Sequence, residues 1–289
     1  MQTTLGIIGG SGLYDLPGLT ALEEISVSTP FGAPSDVIVR GQLGESTLLF
    51  LPRHGRGHRI APHRINYRAN VFALKQLGAQ QLLSVSAVGS LKEEIAPGDM
   101  VVVDQFIDRT RNRASTFFDD HGLVAHVGFG DPTDAALGAA VSAALADVGA
   151  RAHRGGTYVC MEGPQFSTRA ESNMYRSWGA HVIGMTNLPE AKLAREAELP
   201  YASLAMATDY DCWHQSEAAV SVEAVIAVLN HNVDTARKTI AALVPRLPDP
   251  TQSPASSALR DAIITAPNAI GRATRELLAP LIGKYFPAE

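Results

Sequence analysis

The sequence predicts an α/β sandwich around one central sheet, and three observations carry that expectation. Short β-type runs alternate with helical stretches for most of the 289 residues. Several runs, such as Leu5–Ile8 and Met100–Val103, are apolar without alternation, as strands buried on both faces are. Glycines stand just past two helical stretches, Gly78 after Leu77 and Gly179 after Trp178, where a left-handed residue closes a helix.

Taken in order, the expected strands are Leu5–Ile8, Val37–Arg40, Thr47–Leu51, Gln81–Val85, Met100–Val103, Gly156–Cys160, His181–Ile183 and Tyr201–Ala207. Helices are expected at Tyr67–Leu77, Ala135–Val148, Arg169–Trp178 and Pro189–Glu196. The clearest helix begins at Ser221, an N-cap residue, with Val222, Val225, Ile226, Leu229, Val233 and Ala236 at helical spacing behind it. A Pro/Ser-rich stretch, Leu247 to Ser257, then separates the body from a last apolar-studded segment. The reading is one domain over residues 1–289, with a helical extension at about 254–289 docked on the body or over a site.

Composition narrows the function. A hydrophobic content of 46% against 18% charged residues describes a globular chain with a substantial core. The net charge is -5, and the basic residues are scattered, with Arg109, Arg111 and Arg113 the densest group, which argues against nucleic acid as a partner. Two cysteines, Cys160 and Cys212, rule out a disulfide framework and fit a reducing compartment. The N-terminus lacks a basic n-region, and the small-residue stretch Ala135–Val148 is interrupted by Ser142 and Asp147. A cytoplasmic protein with no membrane partner is therefore expected.

The first candidate site is the loop GIIGGSGLYD, Gly6–Asp15. A dinucleotide fingerprint needs three glycines opening a helix, but Asp15 holds the third position, and Pro17 and Gly18 break any helix behind it. What remains is a strand-end turn, or a seat for an anion in which backbone N–H groups converge and Ser11 adds a hydroxyl.

Other stretches carry chemistry of the same kind. Arg53 and His54 stand just past an apolar strand, where open α/β sheets gather ligands, and both can donate to phosphate. SVSAVGSL, Ser84–Leu91, reads as a further small-residue turn, with the Ser86 hydroxyl and Ala87 N–H as anion donors. Glu162, Phe166 and Ser167 follow another strand, and Phe166 can stack on a flat heterocycle or serve the core. In ATDYDCW, Asp209 and Asp211 follow an apolar strand one residue apart, so continued extended backbone would turn both to one face. Such a pair suits a base presenting N–H donors; a metal wants more His, Cys or acid ligands than His214 supplies. Cys212 lacks a thiolate-stabilising neighbour other than His214, near only in sequence, and no GxSxG, Walker A or HExxH motif occurs.

Together, GIIGGSGL, Thr29–Asp36, RHGR at Arg53–Arg56, Asn66–Asn70, Asp104–Thr110, EGPQFSTRAES and MATDYDCW resemble the methylthioadenosine phosphorylases, a trimeric branch of the purine nucleoside phosphorylases. The resemblance runs in order from Gly6 to about Val244. It implies a three-layer α/β/α nucleoside phosphorylase fold with a mixed, partly barrel-like central sheet. The implied reaction belongs to purine and methionine salvage: 5′-methylthioadenosine and phosphate give adenine and 5-methylthioribose 1-phosphate. The resemblance further implies that no metal or organic cofactor takes part, that inorganic phosphate is a co-substrate, and that the protein forms a homotrimer.

By position, the resemblance puts phosphate on Ser11, Arg53, His54, Ser86, Ala87 and Thr186, and ribose on Met185. The base falls on Phe166, Ser167, Asp209 and Asp211, with Asp209 as the catalytic acid, and His126 is offered to the neighbouring subunit's 5′-substituent pocket. Breaking the glycosidic bond builds positive charge on ribose and negative charge on purine, so phosphate beneath C1′ and a proton at N7 both serve the transition state. Apolar surroundings at Tyr210 and Trp213 are expected to favour a protonated Asp209. The alternatives are a phosphorylase of 6-oxopurine nucleosides or methylthioinosine, whose sites carry Asn at the Asp209 position, and a non-catalytic nucleoside-binding protein.

Overall fold

The computed structural model describes residues 3–10, 12–119, 121–214 and 222–287. Eleven strands form one mixed sheet: β1 (Thr4–Gly9), β2 (Thr20–Ile25), β3 (Ile38–Leu43), β4 (Ser46–Pro52), β5 (Gln81–Ser90), β6 (Met100–Val103), β7 (Gln105–Arg109), β8 (Ala152–Arg154), β9 (Thr157–Met161), β10 (Val182–Gly184) and β11 (Tyr201–Asp209). The helices are α1 (Tyr67–Gln76), α2 (Ala135–Asp147), α3 (Arg169–Ser177), α4 (Asn187–Glu196), α5 (Val222–Leu243), α6 (Arg272–Leu277) and α7 (Ala279–Ile282).

The long strand β5 is the branch point of the sheet. It pairs in parallel with β1 along Gln81–Ser84, in parallel with β11 from Leu82 to Gly89, and antiparallel with β10 at Gly89 and Ser90. One arm continues β1-β4-β3-β2, a second β10-β9-β7, and a third β11-β6-β8, so the sheet curls without closing. β11 takes one edge of β5 along most of its length, and β1 and then β10 take successive stretches of the other.

Helices cover both faces. On one, Val71, Phe72 and Leu74 of α1 and Leu193 and Ala194 of α4 pack with Ile8, Leu49, Leu82 and Val101. On the other, Leu137, Val141 and Leu145 of α2 and Ala236 and Ile240 of α5 pack with Leu5, Ile7, Leu48 and Leu204. Consecutive residues Ile7 and Ile8 thus serve opposite layers, which is why β1 reads as a continuous apolar run. The expected three-layer architecture is present.

Helix ends follow local chemistry. Gly78 and Gly179 take φ of 88° and 80°, as their places after α1 and α3 require. Thr168 and Glu171 close a capping box at the start of α3. Leu188 is extended (φ -120°, ψ 135°) inside the span of α4, as a residue before proline prefers, so regular helix starts behind it. The expected N-cap Ser221 lies outside the described residues.

The C-terminal extension docks on the body as short helices, with Leu259, Leu278, Leu281 and Ile282 joining the α1-side core. Glu198 anchors it: its Oε1 accepts from Leu259 N (2.9 Å) and from the Tyr285 hydroxyl (2.6 Å), and Lys284 pairs with its Oε2. Ala125 bridges Ile263, and His126 N donates to Ala262 O at 2.8 Å. No helix among the described residues is long and apolar enough to cross a membrane.

Glu196, the last residue of α4, is buried and accepts from Phe117 N at 2.8 Å. Burial, outweighing that hydrogen bond, pushes its carboxyl up to about 7. A folded-state value raised above the unfolded one gives stability that is complete below pH 4.5 and lost as pH rises through 7. Glu196→Gln keeps an acceptor without the charge, so the variant gains on the wild type by about 3 kcal/mol between pH 4.5 and 8. Denaturant unfolding across that range checks this; parallel pH profiles contradict it.

Candidate active site

The carboxyl ends of the parallel strands β1, β4, β5 and β11 open onto one cleft of about 1130 Å³. Of the residues the sequence nominates, Arg53, His54, Ser86, Ala87, Phe166, Ser167, Met185, Thr186, Asp209 and Asp211 all line it. Ser11 lies outside the described residues, while Gly10 and Gly12 on either side of it line the cleft. His126 is not among the lining residues, nor is any residue of the C-terminal extension.

Some of these groups suit an anion. Arg53 N donates to Gly9 O at 2.9 Å, which ties the end of β4 to the glycine loop behind β1. Arg53 is 2% exposed and its side chain is paired with Glu190, Nε to Oε2 at 2.9 Å. Burial works against its charge, and Glu190 more than restores it, so the guanidinium stays charged.

His54 departs from the sequence expectation of a donor. Its Nδ1 lies 2.8 Å from Ile60 O, and because a carbonyl only accepts, Nδ1 carries the proton of the neutral ring. Burial, aided by the neighbouring Arg53 charge and opposed by the Ile60 bond, lowers its pKa to about 4. At neutral pH the ring is therefore uncharged, and Nε2 is an acceptor that suits the hydroxyl of a hydrogen phosphate.

Ser86 and Ala87 do not form the expected turn. β5 runs on through Ser90, because β11 and then β10 pair with it along its whole second half. Ala87 stays exposed within the strand, on the wall of the cleft. The Ser86 hydroxyl reaches Asn187 Oδ1 at 3.2 Å, and Asn187 Nδ2 in turn bonds Ser203 Oγ. Thr186 occupies the N-cap position of α4 without making a side-chain capping bond, so its buried hydroxyl is not spent on the helix.

Also lining the cleft, Phe166 stands 83% exposed while the adjacent Ser167 is buried. Met185 is held by Arg113, whose Nη1 donates to Met185 O and Leu188 O, each at 2.8 Å. Arg113 Nη2 also donates to Glu162 O at 2.7 Å, so one guanidinium joins the ends of β9 and β10.

Asp209 ends β11, but extended backbone does not continue to Asp211. Asp211 takes φ of 53° and begins a 3-10 turn, so the two acids do not share a strand face as their spacing suggested. Instead Asp211 N folds back to donate to Asp209 Oδ1 at 2.8 Å. Thr208 Oγ1 donates to Asp209 Oδ2 at 2.7 Å and lies 3.2 Å from Val88 O. Burial pushes the Asp211 carboxyl up; the Ser172 hydroxyl opposes this only in part, since Asp211 Oδ2 is buried without a hydrogen bond. Gly89 supplies the floor: a Cβ there would meet Asp209 Oδ1 at 3.0 Å and Asp211 Cβ at 3.2 Å.

Sequence reasoning missed Glu190, Asn187, Thr208 and the clamp by Arg113. Glu190 left a readable trace, an acid among Leu188, Ala191 and Leu193 that a buried helix tolerates only when paired. Among the described residues no group of three or more His, Cys, Asp or Glu could hold a metal.

The phosphorylase superfamily model matches residues 4–245, which covers every strand just described. S-methyl-5′-thioadenosine phosphorylase of Geobacter sulfurreducens is 56% identical over 286 residues, 99% of this chain and 100% of its own. A methylthioadenosine phosphorylase from an antarctic soil metagenomic library superposes with a TM-score of 0.92 at 48% identity, over 97% of this chain and 99% of its own. The Schistosoma mansoni methylthioadenosine phosphorylase, solved in complex with tubercidin, gives a TM-score of 0.84 at 34% identity over 91% and 99%. With fold, strand-end cleft and full-length relatives in agreement, the chain belongs to the phosphorylase superfamily, on the branch of the S-methyl-5′-thioadenosine phosphorylases.

Proposed function

We propose that the protein is a 5′-methylthioadenosine phosphorylase, converting 5′-methylthioadenosine and inorganic phosphate to adenine and 5-methylthioribose 1-phosphate. The observation that carries this reading is a single cleft lined both by anion-directed groups and by the Asp209–Asp211 pair. Relatives of more than half identity over the full chain carry that activity in their names, which supports the same reading.

In this reading phosphate sits among Ser11, Arg53, His54, Ser86, the Ala87 backbone and Thr186, with ribose on Met185. Purine lies between Phe166 and Ser167 and the two acids. Phosphate beneath C1′ meets the positive charge that develops on ribose, while His54 Nε2 accepts from its hydroxyl and fixes which oxygen faces the sugar. Asp209 delivers a proton to N7 of the departing adenine, and Asp211 accepts from the exocyclic amine. Inorganic phosphate is a co-substrate, and no metal or organic cofactor is needed. The working form is a cytoplasmic homotrimer in which His126, set by its pairing with the C-terminal extension, serves a neighbouring subunit's 5′-substituent pocket.

Two acids facing the purine favour 6-aminopurines. A carboxylate opposite O6 of a 6-oxopurine would leave two acceptors opposed, which costs about 1–3 kcal/mol. Adenine release followed by ultraviolet absorbance, with and without phosphate, tests the reaction. Release is expected only with phosphate and faster from methylthioadenosine than from methylthioinosine; release that ignores phosphate, or the reverse preference, overturns the proposal.

A further inference from the structure

The guanidinium of Arg53 is almost wholly committed inside the protein. Its Nε donates to Glu190 Oε2 at 2.9 Å, and Nη1 donates to Val85 O at 3.0 Å. Nη2 faces Ser84 Oγ at 2.7 Å, Ile8 O at 3.0 Å and Glu190 Oε1 at 3.2 Å. Of five N–H donors, one hydrogen on Nη1 is not used by these bonds, in a residue that lines the cleft.

The acid that enforces this geometry lies deeper still. Glu190 is 1% exposed and stands in the first turn of α4, where the helix end favours a carboxylate. Besides gripping two nitrogens of Arg53, its Oε1 accepts from the Tyr201 hydroxyl at 3.0 Å. Tyr201 opens β11, Arg53 follows β4 and Glu190 lies in α4, so the triad joins three elements with cleft-lining residues within them or at their ends.

We infer that Glu190 is a positioning residue for phosphate: it holds the Arg53 guanidinium edge-on to the cleft so that one N–H is presented at a fixed place. The inference rests on Arg53 meeting phosphate, as proposed above. An arginine paired with Glu190 and held through all but one of its N–H groups has little conformational freedom to lose when the anion arrives, and its net charge with Glu190 is zero. Phosphate is then read by the direction of donors more than by local charge.

The test compares Michaelis constants for phosphate and for methylthioadenosine in purified Glu190→Gln, Glu190→Asp, Tyr201→Phe and Arg53→Gln enzymes. Glu190→Gln is expected to raise the phosphate constant about tenfold or more while the nucleoside constant stays within about twofold. Glu190→Asp should recover part of the loss by restoring charge, and Tyr201→Phe should raise the phosphate constant about two- to threefold. Should neither Glu190 variant fold, the Tyr201→Phe split decides. A phosphate constant unchanged in the folded variants, or equal rises for both substrates, overturns the positioning role while Arg53→Gln still weakens phosphate. An Arg53→Gln enzyme with unaltered phosphate binding instead overturns the phosphate assignment of Arg53, and the inference with it.

Discussion

Asp209→Asn is expected to lower kcat/KM for methylthioadenosine by about 10²–10⁴-fold, the usual contribution of a positioned general acid. Adenine leaves poorly as an anion, so a group that can bind N7 but not protonate it forfeits most of the acceleration. Asp209 is held in place by its neighbours. The Thr208 hydroxyl has one hydrogen but two acceptors in range, Asp209 Oδ2 at 2.7 Å and Val88 O at 3.2 Å. Thr208 Oγ1 donates to Oδ2 and Asp211 N to Oδ1, so both carboxyl oxygens of Asp209 are fixed. The orienting groups are thus Thr208 and the Asp211 N–H. An amide at this position presents an N–H to O6 and N7, so the same variant should shift preference toward 6-oxopurine nucleosides. Kinetics with methylthioadenosine and methylthioinosine read both effects, and an unchanged ratio of the two would refute the assignment.

Gly184→Ala is expected to be the most damaging small substitution near the cleft. Gly184 closes β10, and a Cβ there would overlap the Tyr158 hydroxyl and come within 2.6 Å of its Cζ. Tyr158 is fully buried, with its ring edge against Phe106 at 5.8 Å, so it has nowhere to withdraw. The requirement at Gly184 is therefore one of space. Overpacking of this kind costs about 1–3 kcal/mol or more, which for a chain of this size lowers Tm by several degrees. Met185 and Thr186 follow directly, so activity should fall beyond the loss of stability. Adding Tyr158→Phe removes the overlapping oxygen and should return part of the lost Tm. A single variant with wild-type Tm, or a double variant with no recovery, contradicts this packing.

The central strands were legible because burial on both faces forces an unbroken apolar run, as in Leu5–Ile8 and Met100–Val103. β2, β7 and β8 were not, for the opposite reason. Thr20–Ile25 is exposed at five of its six positions, and Gln105–Arg109 and Ala152–Arg154 contain no buried residue, so no periodicity marks them. The ten-residue length of β5 was hidden by Ser86, Ala87 and Gly89, which read locally as a turn. The strand instead continues because β11 and then β10 pair with its second half, a fact of tertiary pairing that no window of sequence contains. The same limit applies to the acids: their one-residue spacing suggested a shared strand face, but a left-handed Asp211 made one the hydrogen-bond donor to the other. Residues with a chemical signature were found, whereas those that orient them, Glu190, Asn187 and Thr208, became visible only when distant segments were brought together.

Phosphate as the attacking nucleophile is tested most directly by running the reaction with methylthioadenosine in ¹⁸O-enriched water containing ordinary phosphate. Mass spectrometry of the sugar product should show 5-methylthioribose 1-phosphate with unlabelled oxygen at C1, because that oxygen comes from phosphate. Free methylthioribose carrying ¹⁸O at C1 from the earliest time points would mean that water attacks, and the cleft would then be that of a hydrolase.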